Sequence, residues 1–579
     1  MSPKPGSKEM LAVARGEAPA DILIVGGKIF APTTKEWIET SIAIKNGFVV
    51  GWGDREAHEI IDVKGGYISP GFIDGYVTME TSKLWIDSFV QTLLPKGTTA
   101  VALDPFQLSS VFGILGIEEL ATAADKLPFT FGIYASSDAQ SSQFDSTGEH
   151  VSAINIAELL RDFGAIGVGG LLHHSSIVNG EDDALAKIAA ARGHRVVGHA
   201  PGLQGKQLDA YLTAGVDADV SALSYQEALE KHRKGLWLFL RNGTVRRNLE
   251  TLLPIAIEYG SKNMAFSTDD RELETIQANG HINESIRIAV KAGLSPEDAL
   301  IMASTNPAEF HGFTQLGYLS PGYQADIVVL PNLEDFEPSM VFQKGRLMAR
   351  TGRIMVFSVP HIPPSPTMLE GVQVDLTKFG ADSLTFPTGE GHPAEIIAVN
   401  SDNFLAETVE EPYSNADATL AKLGTLERRS LAKDIAVGLV RGFGIREGAI
   451  ATTVARGPHS LIVLGANSPS GSADMAEAVS KLIELGGGQI VVKDGKVISV
   501  VELPVGGIIS TTAPSELLEQ FNAINSAAQS LGITFSDPFR RLELLALAVI
   551  PELRITNIGS INVLHLIEND PLQANPMNN

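Results

Sequence analysis

The sequence contains no cysteine. That excludes disulfides, thiolate metal sites and a cysteine nucleophile together. It also lacks any run of about 18 apolar residues able to span a bilayer. The opening stretch MSPKPGSKEMLAVARGEAPAD carries no apolar core of signal-peptide length, so a cytoplasmic location is the expectation. Basic residues are scarce: 44 Lys and Arg stand against 68 Asp and Glu, for a formal charge of -24. Phosphates would be repelled, which argues against a nucleic-acid partner and against an anionic membrane surface, and in favour of a small neutral or cationic molecule. No internal repeat or low-complexity tract occurs. No GxGxxG or Walker loop precedes a helix in a βαβ setting, which argues against a nucleotide-phosphate site.

What is present is a globular composition of 44% hydrophobic and 19% charged residues over 579 positions, enough for two or three domains with cores of their own. The run ADILIVGGKIFAPTTKEWIETSIAIKNGFVVGWG alternates short β-rich stretches with Gly-Gly and Asn-Gly turns, a hairpin signature. A related pattern returns at residues 316 to 350. Two β-rich flanks around a long α/β block predict one small β-domain built from residues 1–70 plus 316–357. Between them, residues 71–315 alternate strand-like and helix-like runs with the rhythm of a (β/α)8 TIM-like barrel, strands being expected at 71–79, 98–104, 129–135, 165–172, 195–200, 217–222, 236–241 and 263–269. A doubly wound open sheet is the competing architecture; eight units with polar strand ends favour the barrel. The Pro-rich stretch SVPHIPPSPTM at 358–368 cannot sit inside a helix and marks a boundary. Beyond it, residues 369–579 predict a C-terminal α+β domain, with a hairpin at 486–510 turning on Asp-Gly and helices at 471–484 and 514–531. The polar tail IENDPLQANPMNN is expected to fray.

Chemistry in such a barrel gathers at the C-terminal ends of the strands. The first strand runs through Pro70-Gly71-Phe72-Ile73-Asp74-Gly75-Tyr76-Val77-Thr78-Met79-Glu80 and ends in polar side chains. The fifth ends in Gly198-His199-Ala200-Pro201-Gly202, which points an imidazole at the top of the barrel as a ligand or general base; the bland reading is a turn histidine bonded to a carbonyl. The eighth ends in Ser267-Thr268-Asp269-Asp270-Arg271, where two carboxylates and a guanidinium form either an ion-pair cap or an active site.

These motifs resemble a known family. The first strand is similar to the amidohydrolase opening P-G-F-I-D-x-H-x-H, and GHAPGLQGKQLDAY, EALEKHRKGLWLFLRNG and STDDRELETIQANGHI resemble the adenine deaminases within that superfamily. The likeness continues through NPAEFHGFTQLGYLSPGYQADIVVL, RGFGIREGAIATTVARGPHSLIVLG and GGGQIVVKDGKV, covering essentially the whole chain. It implies a homodimer and a dinuclear manganese or iron site that activates water to attack C6 of adenine, releasing ammonia and hypoxanthine. At the metal positions the match breaks down. The histidine pair is Tyr76 and Thr78; the fourth-strand glutamate falls on Gly170, the sixth-strand histidine on Val220, the D-P-H-E pair on Phe106 and Gln107, and the histidine after TDDR on Glu272. Only His199 and Asp269 survive.

Two ligands do not close a divalent-cation site. One rescue is local: His173 or His174, after the fourth strand, could join His199 and Asp269 in a mononuclear set holding one manganese, iron or zinc ion. Adjacent residues on a strand point oppositely, so only one of the pair would reach the centre; the competing reading is a loop feature with no metal at all. Glu80 would bond substrate or pair with Arg271, and the pairing is the expectation. Tyr76 would be a pocket wall or phenol donor. His281 suits a structural helix start, His459 a pocket lid or domain interface, and His232 a charged surface. Three readings follow. The leading one is a hydrolase acting on C–N bonds, deaminating adenine or a related amino-heterocycle with a reduced or rebuilt metal site, Asp269, Asp270 and His199 being catalytic and Glu80, Arg271 and Tyr76 binding substrate. The others are a metal-free enzyme of changed chemistry using Asp269 or His199, and a non-catalytic paralogue that binds a purine-like ligand or an active partner.

Overall fold

The computed structural model describes residues 6–138, 150–356, 358–377, 379–399, 406–428, 435–455, 459–547, 552–557 and 559–562. The expected frayed tail lies outside them. After a short helix, Lys8–Ala14, capped by the Ser7 hydroxyl, both β-rich flanks feed a pair of sheets. One holds four strands between Ala20 and Asp62; the other joins Ile327–Leu330 antiparallel to Tyr67–Pro70. Asn46 and Gly47 both take positive φ, as the Asn-Gly hairpin signal requires.

The block between the flanks contains all eight expected strands: β1 (Phe72–Val77), β2 (Thr98–Leu103), β3 (Thr130–Ile133, resumed at Ala135–Ser136), β4 (Gly167–Leu171), β5 (Arg195–Gly198), β6 (Ala218–Asp219), β7 (Trp237–Arg241) and β8 (Met264–Ser267). Each is parallel to the next. The last returns to the first, because the Asp269 N–H donates to Tyr76 O and the Thr78 N–H to Asp269 O, both at 3.0 Å. The interior is packed with side chains. Tyr76, Ala102, Tyr134, Val197, Ala218, Val220, Phe239 and Ala265, drawn from seven of the eight strand segments, meet Phe310 in a single cluster. Gly75 is required there: a Cβ would lie 2.5 Å from the Phe239 ring and 2.8 Å from Phe266 O. His311 is held neutral in this interior, its Nε2 donating to Gly75 O at 2.8 Å while Nδ1 accepts from the Tyr134 hydroxyl at 2.9 Å; burial lowers it to about 3.

The C-terminal part is an eight-stranded sheet with the helix Pro469–Glu484 against one face and Pro514–Ser530 against the other. Its hairpin turns on Asp494-Gly495, both with positive φ, as expected. This part meets the barrel mouth through backbone bonds from Trp85 N to Ser510 O and from Ser510 N to Lys83 O. Ion pairs add to the seam: half-buried Arg540 donates through Nε to buried Glu272 at 2.9 Å, and buried Lys83 lies 3.5 Å from buried Glu543. Glu272 is thus tied to the C-terminal helix Pro538–Leu544. Among the described residues no helix is long and apolar enough to cross a membrane.

Candidate active site at the barrel mouth

Five strand ends deliver one polar network. Tyr76 of β1 donates its hydroxyl to Asp104, just past β2, and lies 3.2 Å from Nε2 of His199, just past β5. Arg241, closing β7, donates through Nη1 to Asp269 at 2.7 Å. All five side chains are buried, with His199 and Asp269 retaining 8% exposure each. Asp269 itself has φ +54, a left-handed conformation that aspartate tolerates better than most residues.

The electrostatics follow from burial and partners. Desolvation lifts Asp104 to about 6, although the Tyr76 hydrogen bond works the other way and Asp269 adds repulsion. Desolvation also drives the Tyr76 phenol well above its usual value, helped by the charges of Asp104 and Asp269. His199 is pushed down to about 4, chiefly by burial and then by the Arg241 guanidinium, against the pull of Asp269. Burial works to raise Asp269, but Arg241, His199 and Arg246 hold it below the ordinary carboxylate value. With the Tyr76 proton committed to Asp104, the phenol oxygen accepts from His199 Nε2–H, which leaves Nδ1 as an acceptor. Among the described residues, buried Asp104 Oδ1 and Arg241 Nε have no hydrogen-bond partner.

The other expected site residues are placed differently. Asp270 holds backbone: its Oδ2 accepts from Val245 and Arg246 N at 3.2 and 3.3 Å. The expected pairing of Glu80 with Arg271 does not form. Arg271 is buried and donates to Gly280 O, Asn242 O and the Glu284 carboxylate. Glu80 instead accepts from Leu108 N at 2.9 Å, at the start of the helix Phe106–Phe112; burial outweighs its backbone hydrogen bonds and raises it to about 7. The reason is topological, since the bend after β1 turns Glu80 toward the chain following β2 and away from β8. His173 and His174 begin the short helix His174–Asn179. His281 is fully buried between Thr98, Thr268 and Asp74, a structural position. His459 is buried in the C-terminal part, and among the described residues neither of its ring nitrogens has a hydrogen-bond partner; His232 is half-buried where a surface was expected.

A divalent metal does not fit this donor set. Tyr76 spends its hydroxyl on Asp104, and the Asp269 carboxylate is already neutralised by a guanidinium. Gly170 sits in an irregularity of β4 with φ +62, and a Cβ there would lie 2.7 Å from Ser136 Oγ, so the backbone itself has departed from one that carries a glutamate. Val220 is core. Among the described residues no group of three or more His, Asp or Glu side chains is placed to hold an ion. Two network members, Asp104 and Arg241, escaped sequence reasoning. Their signal was position, since each closes or directly follows a predicted strand.

Parallel strands that converge polar side chains on one mouth define a TIM-barrel hydrolase scaffold, and residues 67–348 match the profile described as Amidohydrolase family. Residues 399–566 match the Adenine deaminase C-terminal domain. The chain is 33% identical to the adenine deaminase of Petrotoga mobilis over 568 residues, covering 96% of this chain and 98% of that one. It is 34% identical to that of Methanothrix thermoacetophila over 567 residues, with the same coverage, and 32% identical to that of Bacillus velezensis over 576 residues, covering 98% and 99%. A solved structure of an adenine deaminase is 18% identical at a TM-score of 0.44, spanning 57% of this chain and 99% of that one. The chain belongs to the adenine deaminase family of amidohydrolases.

Proposed function

We propose that this family member binds an amino-heterocycle of the purine class at the barrel mouth without assembling a metal-activated water. The observation that carries the reading is Tyr76: in the place of a metal-ligating imidazole stands a phenol bonded to Asp104 and His199. The polar groups gathered there offer both signs of hydrogen bond. Asp104 Oδ1 and His199 Nδ1 accept, and Arg241 Nε donates, a set complementary to a ring that carries N–H donors beside ring-nitrogen acceptors. Leaving such groups unmet costs about 1–3 kcal/mol each, which favours an occupant that satisfies them.

The test is calorimetric titration of adenine into chelator-treated protein, alongside ammonia release with manganese, iron and zinc. Binding that survives chelation, weakens at least tenfold in Asp104→Asn and yields no ammonia supports the reading. Metal-dependent ammonia release abolished by Asp269→Asn would overturn it and restore the hydrolase with a rebuilt site. One observation favours a second reading, metal-free proton transfer: Asp104, near 6, and a neutral His199 both bond the Tyr76 hydroxyl. Turnover of an amino-heterocycle that persists in chelator would mark that outcome. The homodimer implied by the resemblance belongs to the same proposal, and light scattering at several concentrations checks it.

A further inference from the structure

Among the motifs that carry the family resemblance, EALEKHRKG contributes no member to the polar network at the barrel mouth. It lies in and just after the helix Tyr225–Arg233, capped by the Ser224 hydroxyl, which sets Glu227 and Lys231 four residues apart on one buried face. Lys231 is fully buried and Glu227 is 1% exposed. The three N–H bonds of the ammonium each find an acceptor: Glu227 Oε1 at 2.5 Å, Asp219 Oδ2 of β6 at 2.8 Å, and the Ala200 carbonyl, just past β5, at 2.5 Å.

These partners hold the segment that carries His199 by its backbone. The His199 N–H donates to Leu171 O at 3.0 Å, the Ala200 N–H to Asp219 Oδ1 at 3.0 Å and the Gly202 N–H to Glu227 Oε1 at 2.8 Å. Pro201 has no N–H to place. Every backbone donor from His199 to Gly202 is therefore fixed, two of them by carboxylates that Lys231 joins. Ser221 and Leu223 give further hydrogen bonds to the same two carboxylates. Burial works to raise Asp219 and to lower Lys231, yet their mutual attraction holds the carboxyl down at about 2 and lifts the ammonium above its ordinary value, so both stay charged.

We infer that Lys231 is a positioning residue: through Asp219, Glu227 and the Ala200 carbonyl it fixes where the His199 imidazole stands against Tyr76. The inference rests on the barrel mouth being the binding site proposed above. His199 Nε2 lies 3.2 Å from the Tyr76 hydroxyl, at the long end of hydrogen-bond range, so a displacement of about 0.5 Å breaks the contact.

The test uses the full-length protein labelled at Cε1 of its 13 histidines, with the His199 resonance assigned by its loss in His199→Gln. In Lys231→Met that resonance should move further than any other, and adenine affinity should fall about tenfold, the worth of one well-placed hydrogen bond. Lys231→Met strands two buried carboxylates, which endangers folding. The double variant Lys231→Met/Glu227→Gln therefore decides: it restores the net charge of the wild-type cluster and still lacks the bond to Ala200 O, and its His199 resonance should be displaced as well. Lys422→Met removes a buried lysine of the C-terminal sheet and controls for lost stability alone; His199 should not move. A lower urea midpoint with the His199 resonance in place in the double variant, or an equal displacement in Lys422→Met, would reduce Lys231 to a stability residue and overturn the inference. The resonance reads position without ligand. Absence of adenine binding by wild type would remove the binding reading and leave the His199 displacement to decide this one.

Discussion

Replacing Tyr76 with phenylalanine deletes one oxygen from the centre of the barrel network while keeping the ring. The phenol gives a hydrogen bond to a carboxylate and accepts one from an imidazole, with Asp104 fully buried and His199 at 8% exposure. A hydrogen bond to a charged group is worth about 1.5–3 kcal/mol, and a stranded buried partner costs about 1–3 kcal/mol. These overlap, so the loss expected for Tyr76→Phe is about 2–4 kcal/mol. The assay is equilibrium urea unfolding followed by tryptophan fluorescence, since Trp85 and Trp237 report on the barrel. A chain of more than one cooperative unit requires that the barrel transition be fitted by itself. Histidine, the family's residue, should serve no better, because Thr78, Gly170 and Val220 still withhold the other donors. A Tyr76→Phe barrel transition within about 0.5 kcal/mol of wild type would refute the reasoning, since that is the range of a surface substitution.

Glu80 gives a pH signature. Its folded value of about 7 stands above an unfolded value of about 4.3, so its contribution is fully present below that lower value and fades as pH rises through about 7. Glu80→Gln should therefore gain stability relative to wild type between pH 5 and 8, measured by urea midpoints at each pH. Arg241→Gln strands the Asp269 carboxylate of a buried pair and should cost about 3–5 kcal/mol, read in the same unfolding assay; a smaller loss than an exposed pair gives would refute the pairing. Gly170→Glu, which restores a family carboxylate, should destabilise the barrel and bind no manganese by elemental analysis, because the left-handed φ and the Ser136 contact oppose it. Stoichiometric metal in that variant would show the site to be intact in all but one residue.

Legibility tracked the range of the interaction. The eight strands were visible because apolar β-rich runs recur between helical stretches; seven observed segments lie inside the expected ones, and the third runs one residue past its expected end, to Ser136. Asn46-Gly47 and Asp494-Gly495 announced their hairpins, since few residues accept positive φ. His199 and Asp269 were legible as strand-end polar residues. Glu80 was misassigned because its partner depends on the bend after β1, which no local pattern encodes. Asp104 and Arg241 were passed over for a related reason: each gains meaning only from a partner on another strand.

The chain by itself determined the family and the order of elements, for these depend on residue identity and on local periodicity. Only the tertiary structure decided which groups meet at the barrel mouth. Tyr76 reaches Asp104 across 28 positions and His199 across 123, and Arg241 finds Asp269 across 28. Closing the barrel brings these groups together in a medium that has shed most of its water. There burial and pairing set their charge states, and neither is a property of any one stretch of sequence.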